Sequence, residues 1–297
     1  MKPLSYRERS ETMHPQRHPI RIIALDLDGT LFDDRGEISP LDQAALRRFH
    51  AQGGLVVLAS GRMTAAIRPT GARLGIDGPI IAYNGAMVRD ALARGNTVLL
   101  HQPLPARYAD ELVDYAHRER FHLNYYLDDV LHAWDDPELR RYADIYARQT
   151  GSIFHFAPDL RAFRGSSPTK IILITDRSVP GRYNPRGRDE LYDLWQRRWG
   201  EEVRITRTNP NYLEFWNREV DKGTALAAIA LHYGIPREET MAFGDARNDL
   251  PMLRWAEVGV AVANAEEEVK AAADYVSPFT NNESAVGRAI ELLVEPC

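Results

Sequence analysis

Residues 21–30 read Arg21-Ile22-Ile23-Ala24-Leu25-Asp26-Leu27-Asp28-Gly29-Thr30. The apolar run 22–25 reads as a short strand buried on both faces. It runs straight into two acids. In extended backbone, residues i and i+2 point the same way, so Asp26 and Asp28 emerge side by side at the strand's carboxyl end. Close carboxylates repel, and such a pair calls for a cation or a shared proton. A hard cation such as Mg²⁺ prefers oxygen ligands. One Asp suits a nucleophile and the other an acid and base, provided their environments separate their pKa values. Gly29 permits a sharp turn away from the strand. The plain alternative is an acidic strand-to-loop turn, where Asp and Gly are common.

Moving outward, Ser39-Pro40-Leu41-Asp42 reads as a helix start, with Ser as cap, Pro in the first turn and an acid behind it. Leu41, Ala45 and Phe49 follow at helical spacing, and Gly53-Gly54 end the helix. A second buried strand covers 55–59, and Ser60-Gly61-Arg62 opens the next helix. A third strand covers 79–83 and closes at Asn84-Gly85. This alternation predicts an α/β fold with a doubly wound, Rossmann-like parallel sheet. Ligands bind such sheets beyond the carboxyl ends of the strands. Asp26, Ser60 and Asn84 should therefore gather on one edge.

The alternation returns at Lys222. Helices are expected at 222–233, 249–255, 266–273 and 283–294, with strands at 240–243, 258–262 and 275–276. Between the two outer segments the texture differs. Strands are expected at 98–102, 123–127, 130–134, 153–156, 171–175, 203–208 and 212–216, and helices at 105–119, 138–149 and 188–199. The division expected is a core of 20–85 plus 213–297, an inserted α+β module at 86–212, and a disordered leader at 1–19 without an apolar signal core.

The chain has 297 residues, 44% hydrophobic and 27% charged, which excludes collagen, coiled coil and wholesale disorder. No apolar run reaches the ~18–20 residues of a membrane span. A net charge of −5 argues against a dedicated nucleic-acid binder. Cys297 is the only cysteine, so no intrachain disulfide or Cys metal cluster can form, which fits a reducing, cytoplasmic setting. Only Lys2, Lys170, Lys222 and Lys270 are lysines among the 37 Lys and Arg, which gives each of them some interest.

Three further stations carry chemistry. Gly244-Asp245-Ala246-Arg247-Asn248-Asp249 follows another strand and offers oxygen ligands at the same edge, or a turn with a helix cap. Ser60 brings a hydroxyl and free amides together, suited to a phosphate or to capping alone. Lys222 starts a helix after Asp221. Opposite two acid clusters it would partner an anionic phosphate, and by itself it reads as a solvated lysine. Arg62 stands evenly between substrate contact and surface. Tyr125, Tyr126, Trp134, Phe154, Phe156 and Trp216 read as packing of the inserted module rather than as a pocket. Asp128-Asp129 and Asp135-Asp136 read as solvated turns.

At four stations the sequence resembles the haloacid dehalogenase superfamily of phosphohydrolases, and within it the Cof-type phosphatases with a large α+β (C2B-type) cap. The resemblance covers about residues 20–295. Its motifs are Asp26-Leu27-Asp28-Gly29-Thr30-Leu31, Leu58-Ala59-Ser60-Gly61-Arg62, Asp221-Lys222-Gly223-Thr224-Ala225-Leu226, and Gly244 through Asp249 with Leu250 and Met252-Leu253. Tyr83-Asn84-Gly85-Ala86 resembles the hinge into the cap. The resemblance implies that Asp26 becomes an aspartyl-phosphate and that Asp28 protonates the leaving alcohol and then activates water. It implies Mg²⁺ held by the Asp26 carboxylate, the Asp28 carbonyl and Asp245, with Asp249 supporting. Ser60, Lys222, Asn248 and the amides of Leu27 and Gly61 would hold the phosphoryl oxygens. The implied substrate is a small phosphorylated metabolite, a sugar phosphate first, with FMN or pyridoxal phosphate beside it. No nucleic-acid or membrane partner is implied. Competing readings are a phosphomutase, a non-catalytic phosphate-ligand-binding regulator and a receiver-type phospho-acceptor.

Overall fold

The computed structural model describes residues 17–175, 187–209 and 211–295. The chain opens with β1 (Ile22–Asp26), α1 (Pro40–Ala51), β2 (Leu55–Ala59), α2 (Thr64–Leu74), β3 (Ile80–Ala82), β4 (Met87–Arg89) and β5 (Val98–His101). It continues through α3 (Ala106–Glu119), β6 (His122–Leu127), β7 (Val130–Trp134), α4 (Arg140–Thr150), β8 (Phe154–Ala157), β9 (Lys170–Ile174), α5 (Arg188–Trp199), β10 (Val203–Asn209) and β11 (Tyr212–Asn217). It closes with α6 (Lys222–Tyr233), β12 (Thr240–Gly244), α7 (Leu250–Trp255), β13 (Val258–Ala261), α8 (Glu267–Ala272), β14 (Tyr275–Val276) and α9 (Ala285–Leu293).

Eight strands form one sheet in the order β14-β13-β12-β1-β2-β3-β4-β5. From β14 to β3 all pairings are parallel. β1 lies inside it and is buried along its whole length. Its alternate residues serve two layers, as expected for a strand covered on both faces. Ile23 and Leu25 pack with Leu46 and Phe49 of α1 and Val286 and Ile290 of α9. Ile22 and Ala24 pack with Leu226 and Ile229 of α6 and Leu253 of α7. The doubly wound core read from the sequence is thus present.

Four local expectations change. Residues 87–101, expected in the inserted module, join this first sheet: β4, not expected as a strand, pairs antiparallel with β3, and β5, expected as one, pairs antiparallel with β4. The cause is the turn at Tyr83, Asn84 and Gly85, which all adopt positive φ (52°, 56° and 108°) and fold the chain back beside β3. A Cβ on Gly85 would lie 2.1 Å from the Asp221 carbonyl oxygen, so only glycine fits there. At the other boundary, β11 belongs wholly to the second sheet, because it continues the β10 hairpin to Asn217. α2 starts at Thr64 with Met63 before it, so Ser60 does not cap it. His18, placed in the leader, pairs with the end of the chain: its amide donates to the Leu293 carbonyl at 2.8 Å and its carbonyl accepts from Glu295 at 3.0 Å. The rest of that leader, 1–16, and Cys297 lie outside the described residues.

The second sheet runs β10-β11-β9-β6-β7-β8. One face is covered by α3 and α5, where the rings of Tyr115 and Trp195 meet edge to face at 5.0 Å. The other face carries Tyr126, Ile172, Ile174 and Trp216, which share an apolar cluster with Tyr83 and Ala86 of the first sheet's segment. That face therefore looks toward the carboxyl edge of the first sheet. No helix among the described residues is long and apolar enough to cross a membrane.

Candidate active site

Asp26 is the last residue of β1 and is buried. Three residues on, Gly29 turns the chain with φ +83°, and a Cβ there would lie 2.6 Å from Asp245 Oδ2. Glycine thus allows the loop after β1 to touch the loop after β12. The Thr30 hydroxyl completes that contact by donating to Asp245 Oδ1 at 2.8 Å. Behind them, Asp249 Oδ2 accepts the amides of Asp245 and Ala246, both at 3.1 Å. Its other oxygen accepts from Lys222 Nζ at 2.6 Å. Lys222 also donates to Asp26 Oδ1 at 2.5 Å. It begins α6, whose first turn is capped by Asp221 accepting the Thr224 amide at 2.7 Å. That cap fixes the backbone from which the fully buried lysine reaches both acids.

Asp26, Asp245 and Asp249 each offer a carboxylate oxygen within 4.8 Å of the others. One lysine against three carboxylates leaves two negative charges uncompensated. The titration of the group reflects this. Burial raises the Asp26 pKa well above the carboxylate range, Asp249 adds to it, and Lys222 opposes it. Burial pushes Asp245 up to about 6, against the Thr30 hydrogen bond and with Asp249 adding. Burial alone would lower the Lys222 pKa, but the charges of Asp249 and Asp26 raise it, so the lysine stays charged. A compact all-oxygen donor set with excess negative charge fits a hard divalent cation.

The other predicted residues surround this cluster. Asp28 is turned outward, its side chain 57% exposed, and Arg62 grips it with Nε at 3.0 Å and Nη2 at 2.5 Å. Leu27 is buried, and its carbonyl accepts the amides of Leu31 and Phe32 at 3.1 and 2.8 Å, which curls the loop. Ser60 is buried just past β2, and its Oγ accepts the Arg62 amide at 3.3 Å. Gly61 lies against Asn84. Asn248 donates to Asn84 Oδ1 at 3.1 Å. Asn84 thus ties the β3 turn to the β12 loop, a bond 164 residues apart in sequence.

Asp26, Asp28, Ser60, Gly61 and Asn248 line one cavity of about 450 Å³. Its far wall comes from the second sheet and α4, including Tyr126, Tyr146, Lys170 and Glu214. Tyr126 was expected as packing and does both, lining the cavity and joining the apolar cluster. Lys170 and Glu214 carried no motif. The only sequence signal was the scarcity of lysine. Of the two expected solvated turns, Asp128 and Asp135 are exposed, but Asp129 and Asp136 are not. Asp129 is 14% exposed and bonded to the first sheet's segment by the Tyr83 hydroxyl. Asp136 is buried, paired with Arg120, and accepts the Glu138 amide at 2.9 Å.

Comparison with known proteins agrees with this geometry. The family model of haloacid dehalogenase-like hydrolases matches residues 23–290. The phosphatase YwpJ of Bacillus subtilis (strain 168) is 27% identical over 290 residues, 93% of this chain and 100% of that protein. The 5-amino-6-(5-phospho-D-ribitylamino)uracil phosphatase YitU of the same organism is 30% identical over 279 residues, 91% of this chain and 96% of that protein. The crystal structure of TM0651 from Thermotoga maritima superposes with a TM-score of 0.81 at 32% identity, over 94% of this chain and 99% of that one. With its acid-bearing strand ends, its cavity and a family match over nearly its whole length, the chain belongs to the haloacid dehalogenase-like hydrolases, as a phosphatase.

Proposed function

We propose that this phosphatase is Mg²⁺-dependent and hydrolyses phosphate monoesters of small metabolites, sugar phosphates first, through an aspartyl-phosphate on Asp26. The observation that carries the reading is the Asp26 carboxylate itself. It is buried, held by Lys222 at 2.5 Å, set beside Asp245 and Asp249, and open to a cavity with room for a small ester. The name of YitU, a phosphatase for a phosphate on a ribityl chain, supports a polyol phosphate as substrate type.

An Asp26 oxygen attacks phosphorus as the ester bond breaks. Asp28 gives its proton to the leaving alkoxide, so the alcohol departs neutral. Water then attacks the aspartyl-phosphate, Asp28 takes the water's proton, and phosphate leaves as Asp26 is restored. Asp28 stands on the cavity side of the loop, two residues from the nucleophile, where a leaving oxygen would pass. Lys222, Ser60, Asn248 and the amides of Leu27 and Gly61 would carry the charge of the transferring oxygens, which is where catalysis of phosphoryl transfer chiefly lies. Mg²⁺, held by Asp26, the Asp28 carbonyl and Asp245 with Asp249 behind, would supply the remaining charge neutralisation. The module built on the second sheet would act as a cap, excluding water and reading the leaving group.

The test is phosphate release from a panel of phosphorylated metabolites, with Mg²⁺ and with EDTA, beside Asp26→Asn. Release that needs Mg²⁺ and vanishes in the variant is expected. No release from any member by protein shown to bind Mg²⁺ would sink the reading. Turnover only with a sugar bisphosphate activator would make the chain a mutase.

A further inference from the structure

Lys170 begins β9 and Glu214 lies in β11, on neighbouring strands of the second sheet, 44 residues apart in sequence. Both line the cavity across from Asp26 and Asn248. Both are buried, at 4% and 8% exposure, and their side chains pair at 3.2 Å. A buried ion pair is weak evidence for stability, because apolar residues of the same volume often hold a sheet as well or better. Packing alone therefore does not explain this pair.

Its hydrogen bonding points into the cavity. Lys170 Nζ has three donors, and among the described residues one acceptor, Glu214 Oε2. The rings of Trp216 and Tyr126 lie under the ammonium at 4.5 and 5.0 Å. The donors not spent on Glu214 are left to the cavity. Glu214 is anchored from its other side, where Oε1 accepts the Thr208 hydroxyl at 2.8 Å. Its carboxylate keeps further lone pairs. Residue choice adds a second argument. In a chain that uses arginine for nearly every cation, the buried lysines among the described residues are Lys170, which lines this cavity, and Lys222, bonded to Asp26, which also lines it. A lysine offers a compact point charge on a flexible stem, where an arginine would present a flat, rigid fork.

We propose that Lys170 and Glu214 form the subsite that reads the leaving group, and that they select one that is uncharged and carries neighbouring hydroxyls. The inference rests on the phosphatase reading and adds the residues and the rule of selection. A hydroxyl both donates and accepts, so two adjacent hydroxyls satisfy the lysine and the carboxylate together. A second phosphate or a carboxylate on the leaving group would be repelled by Glu214. An apolar leaving group would leave both charges buried without new partners, which a site of this kind rejects strongly.

The experiment compares kcat/KM for glucose 6-phosphate, ribitol 5-phosphate, fructose 1,6-bisphosphate and p-nitrophenyl phosphate. It uses wild type, the neutral double variant Lys170→Gln/Glu214→Gln, and Glu214→Gln alone. The double variant avoids an isolated buried charge, and the near-isosteric single variant keeps the test alive if the double one fails to fold. Wild type should prefer a hydroxylated monophosphate to both the bisphosphate and the aryl ester. In the double variant the ratio of the better hydroxylated monophosphate to p-nitrophenyl phosphate should fall by about tenfold or more. In Glu214→Gln, discrimination against the bisphosphate should relax. Unchanged ratios in folded variants would overturn the inference and leave a structural ion pair, as would a wild type that favours the bisphosphate or the aryl ester. If wild type released phosphate from none of the four or from any wider panel, the phosphatase reading itself would fall, and this inference with it.

Discussion

The Tyr83 hydroxyl donates to Asp129 Oδ1 at 2.7 Å, joining the turn after β3 to the tip of the β6–β7 hairpin. The same oxygen accepts the Thr64 amide at the start of α2, at 3.3 Å, and Arg89 Nε lies 3.9 Å from the other carboxylate oxygen. Three groups of the first sheet's segment thus hold one loop of the second. Burial raises the Tyr83 pKa far above its ordinary value, and the Asp129 charge and hydrogen bond raise it further, so the donor persists at any working pH.

Tyr83→Phe should loosen this latch. Losing one hydrogen bond to a charged acceptor costs about 1.5–3 kcal/mol, with Thr64 and Arg89 left to share the carboxylate. Denaturant unfolding should show that loss, and amide exchange should quicken over residues 122–134. An unchanged exchange pattern would mean the second sheet is held elsewhere.

Lys222→Met should be damaging in two separable ways. Removing the cation leaves Asp26 and Asp249 buried without it, and breaking a buried pair costs about 3–5 kcal/mol. Phosphate release should also drop by orders of magnitude. If the variant unfolds early but turns over at wild-type rate, the lysine is structural only.

Gly29→Ala places a Cβ where Asp245 Oδ2 now lies and asks an L-residue to hold φ +83°. The conformation costs about 1–2 kcal/mol, and Asp245 must move. Mg²⁺ affinity, read by calorimetric titration, should fall by roughly 10–100-fold, the usual effect of displacing a ligand's support. Retained affinity would mean Asp245 is not a ligand.

Metal binding should also appear as stability. At one hundred times its Kd, a cation that binds only the folded chain adds about 2.7 kcal/mol. Thermal unfolding with Mg²⁺ and with EDTA should differ by several degrees in wild type, and the difference should shrink in Asp245→Asn. The same shift in both proteins would place the cation elsewhere.

Acid should destabilise the chain partly through His122. Burial lowers its pKa to about 4, while its Nε2 is 2.9 Å from Asn124 Oδ1 and its Nδ1 has no partner among the described residues. Neutral when folded and protonated below its ordinary 6.5 when unfolded, it withdraws stability as pH falls from 6.5 to 4. The full loss is up to about 3 kcal/mol. His122→Leu should flatten that part of the pH–stability curve. An unchanged slope would assign the acid loss to other groups.

Much of the doubly wound core was legible because its signals are local. Buried strands of four or five apolar residues, each followed by a turn residue and a helix start, state their own direction and period. The one edge that parallel strands share brought Asp26, Ser60 and Asp245 together without knowledge of side-chain packing. The reversal from β3 into β4 was not legible, because Asn84-Gly85 reads equally as a strand's end or a reversal. Only the three positive-φ residues, with Gly85 seated against Asp221, decide which.

By itself, then, the order of residues determined the strand ends and the acids they present, since each follows from the spacing within one short segment. The tertiary structure decided what closes over them. Lys170 meets Glu214, Asn84 meets Asn248 and Tyr83 meets Asp129 across 44, 164 and 46 positions. Each contact exists only because distant strands were first brought into register by burial of their apolar neighbours. Burial has no direction and writes no motif, so polar groups carried along by it are invisible until the chain is folded.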